Sequence, residues 1–310
     1  DYLLWYARDR AKAKFNRLYM EKTDDSGQYR YQDENGRYFR YSDFTSQSGG
    51  ASTIFEHVHK GLPFEPKKGG YKTNMVGAAR LEKASRLMGG GNTLSYVRYL
   101  DDFPATPIDA TWTDTRISGF SDAKRYVVQT GLKVIERCML MTTDPGDLAL
   151  DPTCGSGTTA FVAEKWGRRW ITCDTSRVAI TLAKQRLMTA TFDYYALRYP
   201  HEGLGGGFDY ETVPHITLKS IANNPDIDTI HDEDHPKIAA ALADLNAALA
   251  ATPPKALKPA QGVRKGKPVD FAKGDSLHEW EVPFDWPEDW PEAARAPFDA
   301  FHAARQAMQR

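Results

Sequence analysis

The stretch 148–167, LALDPTCGSGTTAFVAEKWG, gathers residues able to hold a charged ligand. A short apolar run ends in Asp151-Pro152, Gly155 and Gly157 follow one residue apart, and Thr158-Thr159 open an apolar helical pattern. Glycines at that spacing let the backbone approach a ligand closely, and the amides at the start of the next helix point towards it. A second acid, Asp174, closes the next apolar run 23 residues beyond Asp151. An acid ending the second strand of such a unit can accept both hydroxyls of a ribose. Strand, glycine loop, helix, strand and acid arrive in order, so the stretch reads as a nucleoside-holding unit rather than a bare strand-to-helix turn.

The glycine spacing alone leaves several ligands open. A triphosphate loop needs G-x-x-x-x-G-K-[ST], which is absent, so nucleotide hydrolysis is excluded. The dinucleotide fingerprint G-x-G-x-x-G/A is met on paper by Gly155, Gly157 and Ala160, and an NAD(P)- or FAD-dependent oxidoreductase is the rival reading. Charge separates the two. Asp151, ending the strand before the loop, opposes a pyrophosphate. S-adenosylmethionine has a sulfonium and an ammonium against one carboxylate, and such a net cation is welcomed there. Asp174 fits either ligand. A non-catalytic DNA-binding module is the third reading.

The elements that must position these residues follow from periodicity and punctuation. Leu132, Ile135 and Met139 fall at helical spacing, TTDPGD breaks that helix, and LALD forms a short buried strand. TTAFVAEKW continues as a helix closed by Gly167, RRWITCD is the next strand, and Ser176 starts a helix with Ala179, Ala183 and Leu187 on one face. Alternating strands and helices with short connections imply a parallel sheet and an α/β class. Upstream, DYLLWYARDR reads as an apolar strand, Asn74 caps a helix running to about Leu87, and TLSYVRYL reads as a strand. Downstream, KIAAALADLNAALAA is an alanine-rich helix, residues 252–274 form a basic Pro/Gly/Lys linker, and a helix ends the sequence.

The 310 residues suffice for two domains, and no apolar run approaches the ~18 residues of a membrane span. Three cysteines without a close pair argue against a disulfide framework or a zinc site, and no metal ligands are assigned. A cytoplasmic, prokaryotic setting is expected. The net charge of −1 is unevenly spread. Residues 1–100 carry 17 Lys and Arg against 11 Asp and Glu, and 10 of the 15 tyrosines, whereas residues 201–310 carry 11 against 18. Basic residues interleaved with aromatics suit a phosphate backbone and unstacked bases. HDEDHPK, with His231 and His235 four apart, reads as an exposed turn rather than a chelator, and the cluster around Trp286 and Trp290 reads as packing.

The combination DPTCGSGTT followed by GRRWITCD closely resembles the S-adenosylmethionine-binding segment of prokaryotic DNA methyltransferases that modify exocyclic amino groups, usually D-P-F-x-G-S-G-T-T. The upstream YVVQTGLKVIERCMLMTTDPGD is similar to the segment preceding it in the circularly permuted (beta-type) arrangement, and DYLLWYARD and VRYLDDFPATPIDATWTD resemble the modification subunits of type III-like systems. The resemblance implies a Rossmann-like methyltransferase fold with a mostly parallel sheet, incomplete in this chain. It assigns residues 1–19 to the end of the catalytic half, 20–112 to target recognition, 113–198 to the cofactor half, and 199–310 to an accessory region. The cofactor residues it implies are Gln129, Thr130, Asp151, Pro152, Thr153, Cys154, Gly155, Ser156, Gly157, Thr158 and Asp174, with Lys133 nearby.

Two departures stand out. Thr153 replaces the Phe whose ring packs by the adenine, so the apolar wall is expected at Trp170 or Ile171. The family's Asp/Asn/Ser-Pro-Pro-aromatic tetrapeptide is missing, since the one Pro-Pro pair, Pro253-Pro254, is followed by Lys255. In the beta-type order the tetrapeptide lies upstream, and a chain beginning at DYLLWY is expected to have lost it by truncation; no catalytic position is assigned. The implied reaction is methyl transfer from S-adenosylmethionine to an amino group of a base flipped out of double-stranded DNA, adenine N6 favoured and cytosine N4 possible. A restriction subunit or a second methyltransferase copy is the implied protein partner. Lys67, Lys68, Lys72, Arg80 and Arg86 are the candidate phosphate contacts.

Overall fold

A computed structural model describes residues 2–23, 27–33, 35–115 and 130–309. It divides into two compact units, one of residues 1–22 with 105–213 and the other of 23–104 with 214–310. The four sequence segments thus fold as two bodies, each closed by chain that returns from far along the sequence.

The first unit holds the glycine loop. Strands Leu148–Asp151 and Arg169–Thr172 pair in parallel, Leu148 opposite Arg169 and Asp151 opposite Thr172. Helix Thr158–Lys165 makes the crossover between them, and helix Arg177–Thr189 follows. Parallel neighbours need such a crossover, so the order read from the sequence dictates the pairing. Helix Leu132–Thr142 packs beside the crossover helix: Met139, Val162 and Ala163 are buried, with Leu132, Ile135, Ala149, Trp166 and Trp170 around them. Gly167, at φ 68°, ends the crossover helix in the left-handed conformation that glycine adopts freely. The class is α/β as expected. Among the described residues the parallel pairing is confined to these two strands, and the other ladders are antiparallel.

The opening DYLLWYARDR is not a strand. Residues 2–7 carry no ladder, with Tyr2 and Leu4 almost fully exposed, because no described strand pairs with them and an isolated strand leaves its amides unpaired. A 3-10 turn follows at Arg10–Lys12, capped by Asp9, and the segment is then tied down by Lys14, paired to Asp144 and Asp147, and by Asn16, whose amide donates to Met141 O at 2.8 Å.

In the second unit an antiparallel sheet runs Tyr31–Gln32, Tyr38–Asp43, Thr93–Tyr99, Leu87–Gly90. Helix Met75–Lys83 lies against it, capped as expected by Asn74, whose Oδ1 accepts from Gly77 N at 2.9 Å. It stops short of Leu87, which enters the sheet instead. Phe44, Leu81, Leu94 and Tyr96 share one core with Ile221 and Ala222 from the far end of the chain. A second core joins helix Asp226–Ala251 to helix Arg295–Gln309 through Leu245, Leu249, Trp290 and Phe298, so the tryptophans pack as expected. The HDEDHPK expectation is corrected: His231 to Lys237 lie inside the long helix, whose first turn carries Asp226 and Asp228 and whose inner face buries Ile238 and Leu245. The two imidazoles stack at 4.5 Å, and no metal-holding group of three His, Cys, Asp or Glu occurs among the described residues. No helix among them is long and apolar enough to cross a membrane.

Candidate functional site

The parallel ladder runs on past both strands into the loop. Cys173 N donates to Asp151 O at 3.1 Å, Cys154 N to Cys173 O at 2.9 Å, and Gly157 N turns back to Cys154 O at 2.8 Å. The chain must then reverse into a helix within a few residues, and it does so through positive φ at Gly155 (50°) and Gly157 (74°). At Gly157 space is limiting as well, since a Cβ there would stand 2.8 Å from Ala183 Cβ. Cys154, Ser156 and Thr158 face inward and are buried, whereas Pro152 and Thr153 are exposed at the rim.

Both acids stand at the carboxyl ends of the paired strands, the edge at which α/β units present ligands. Asp151 Oδ1 accepts from Thr153 N at 3.0 Å and Oδ2 from the Thr159 hydroxyl at 2.6 Å. Asp174 Oδ1 accepts from Ser176 N at 2.8 Å and Oδ2 from Gly155 N at 2.9 Å. The amides of Ser176 and then Gly155 hold the Asp174 carboxyl below the usual range, so it stays ionised. Each carboxylate thus shapes the loop and keeps lone pairs in reserve. Arg186, which sequence reasoning missed, braces the loop from below: its guanidinium donates to Thr158 Oγ1 at 3.1 Å and Ser156 O at 3.5 Å and lies 4.5 Å from the Phe161 ring.

Other expected residues are placed differently. Thr130 is exposed just before helix Leu132–Thr142, and Gln129 lies outside the described residues. Lys133 is held by Asp114 at 3.0 Å; Arg137 joins it there, and the two cations bring the Asp114 carboxyl down to about 2. The Trp170 indole donates to Glu164 Oε2 at 2.9 Å and its ring joins the core under the crossover helix. Ile171 is 55% exposed, on the opposite side of its strand from Trp170.

Among the phosphate candidates Lys67, Lys68 and Lys72 are exposed, Lys72 donating to Asp43 O. Arg86 is a correction: its guanidinium is buried on Asp102 Oδ2 at 2.8 Å, so its charge is neutralised inside the unit. Arg80 likewise pairs with Asp228 at 2.8 Å, its side chain only 17% exposed.

Against this geometry stand the comparisons. The family model described as DNA methylase matches residues 1–185. The type II methyltransferase M2.DpnII of Streptococcus pneumoniae is 40% identical over 65 residues, 21% of this chain and 24% of that protein. A probable type III restriction-modification enzyme HindVI Mod subunit of Haemophilus influenzae is 34% identical over 84 residues, 26% of this chain and 11% of that one. The matched segments therefore span a quarter or less of these relatives. Among solved structures, PvuII DNA methyltransferase (cytosine-N4-specific) is similar with a TM-score of 0.25 at 15% identity, covering 44% of this chain and 63% of that one. An M1.HpyAVI–SAM complex has a TM-score of 0.22 at 21% identity, covering 30% and 50%.

Proposed function

The chain belongs to the DNA methylase family, and on that premise we propose that its first unit binds S-adenosylmethionine in a methyltransferase acting on an exocyclic amino group of double-stranded DNA. The observation that carries the reading is the pair of carboxylates, Asp151 and Asp174, at the ends of adjacent parallel strands beside a glycine turn. That donor set fits a ligand with a diol and a net positive charge. It disfavours a diphosphate, since like charges about 4 Å apart repel by roughly 1–4 kcal/mol between bulk water and a protein surface.

In this reading Asp174 takes the ribose hydroxyls through the lone pairs that the Ser176 and Gly155 amides leave free. Asp151 faces the ammonium end, and the turn at 155–157 keeps the backbone close to the ligand. When bound, the cofactor supplies an electrophilic methyl group on sulfur. The chain's part is then orientation, which can contribute several kcal/mol to a bimolecular transfer. Adenine N6 is the favoured acceptor and cytosine N4 the alternative; the base is flipped from the duplex, and a restriction subunit or a second methyltransferase copy is the partner we infer. The recognition surface is assigned to the second unit, with Lys67, Lys68 and Lys72 contacting phosphate.

Calorimetry of this chain with S-adenosylmethionine and with NADH tests the reading. Heat is expected with the first and none with the second; binding of NADH alone overturns it in favour of a redox coenzyme. Asp174→Ala is expected to weaken S-adenosylmethionine at least tenfold, and unchanged affinity refutes the ribose assignment.

A further inference from the structure

Residues 252–269 carry Lys255, Lys258, Arg264, Lys265 and Lys267 and no acid, within a third of the chain that is otherwise strongly acidic. Composition alone makes this a solvated linker, yet the structure holds it in one shape. Leu257 and Val269 exchange two backbone hydrogen bonds of 3.1 and 2.7 Å, closing the segment into a loop. Inside it Gly266 N donates to Pro259 O at 2.9 Å and Lys265 N to Gly262 O at 3.0 Å. The loop is also fastened to the hairpin of strands His57–His59 and Leu62–Phe64, where Val263 N donates to Lys60 O at 3.1 Å and Lys60 Nζ to Gln261 Oε1 at 2.6 Å.

The charges within the loop are treated unequally. Arg264 turns in, its Nε on Oε1 of the buried Glu281 at 2.8 Å and its Nη2 on Ser276 O at 2.7 Å, so it anchors the loop and its charge is cancelled. Lys258, Lys265 and Lys267 remain exposed and form no ion pair with any described residue. Gly266 between the last two has φ 74°, and a Cβ there would meet nothing within 4 Å, so the tip offers bare backbone between two ammonium groups. Like charges fixed this close repel unless a polyanion or its counterions neutralise them, and releasing counterions from DNA is what drives such binding. The hairpin leads from the fastened Lys60 to Lys67 and Lys68 within seven or eight extended residues, at most about 30 Å. Lys67 and Lys68 therefore stand within about 30 Å of the point where the loop is fastened, less than one turn of duplex, roughly 34 Å.

We propose that the 257–269 loop is a phosphate-binding element for duplex DNA, presenting Lys258, Lys265 and Lys267 beside the hairpin. It extends the DNA surface of the preceding reading, on which it rests, into the carboxyl-terminal third. Ordering the loop beforehand spares the entropy of fixing it on binding.

The test is anisotropy of a labelled mixed-sequence duplex titrated with the full chain between about 50 and 200 mM salt. With Lys258→Gln, Lys265→Gln and Lys267→Gln combined, the slope of log affinity against log salt is expected to become shallower by about 2–3, with at least a tenfold loss of affinity at 100 mM. A charge-matched variant, Lys219→Gln, Lys237→Gln and Lys273→Gln, removes exposed lysines elsewhere, two of them already paired with Asp234 and Asp270, and is expected to change neither. An unchanged slope in the first variant, an equal change in the second, or equally tight binding to polyglutamate of matched charge overturns the proposal. Calorimetry with S-adenosylmethionine on the same preparations reads the cofactor site independently, so failure of the loop and failure of the methyl-donor reading are told apart.

Discussion

Gly157→Ala isolates the contact on which the loop depends. Gly157 has φ 74°, and a left-handed backbone costs a residue with a Cβ roughly 1–2 kcal/mol. The added methyl would stand 2.8 Å from Ala183 Cβ and 3.2 Å from Ala183 Cα; forcing a methyl into packed space costs a further ~1–3 kcal/mol. Alanine stiffens the unfolded chain, which returns about 0.4–1 kcal/mol, so the net loss is about 1–4.5 kcal/mol. Two compact units make a single global unfolding energy ill-defined, and amide hydrogen exchange is the suitable assay because it reads segment 148–190 by itself. Exchange of its slowest amides should quicken by roughly 5- to 1500-fold, at a factor of ten per 1.4 kcal/mol. Adding Ala183→Gly removes the opposing methyl at 2.8 Å and should recover part of the steric share but not the backbone share, against a helix-interior penalty of about 1 kcal/mol. Protection within a factor of three of the parent in Gly157→Ala would refute the reasoning, because neither the φ nor the clash would then be real.

Two more outcomes follow from the ion pairs. Asp102 is 1% exposed and accepts from Arg86 Nη1 at 2.8 Å and Tyr99 N at 2.9 Å, so Asp102→Ala strands a buried guanidinium and should cost the second unit about 3–5 kcal/mol, read by hydrogen exchange of strand Thr93–Tyr99; a loss under 1 kcal/mol contradicts the burial. Asp114, drawn down from an ordinary 3.8 to about 2, gives stability that is present above pH 4 and lost as pH falls towards 2; discounted for a carboxylate about a third exposed this is about 1 kcal/mol, and Asp114→Asn should flatten that part of the acid dependence of exchange in helix Leu132–Thr142.

The residues of the loop were legible in the sequence because their constraints are local. Gly155 and Gly157 are demanded by a chain that must reverse between a strand and a helix. Asp151 and Asp174 fall at the two strand ends by counting, and Asn74 and Ser176 cap the helices that follow them, Ser176 Oγ accepting from Ala179 N at 3.3 Å. What failed locally failed for want of a partner or through an unseen one. DYLLWY has strand composition but no described neighbour to pair with, and HDEDHPK has turn composition but sits on a helix whose inner face is buried.

Which cations face water is decided only when distant segments meet. Arg86 and Lys265 look alike in the sequence. One is buried on Asp102 and the other stands at the tip of a loop fastened to a hairpin two hundred residues away. Likewise nothing along the chain announces that Ile221 and Ala222 complete the core around Phe44 and Leu81, or that Arg186 braces the glycine turn. Backbone conformation and capping are fixed by a few neighbouring residues, so sequence determines them; burial and charge neutralisation depend on contacts across long loops, and only the folded structure supplies those.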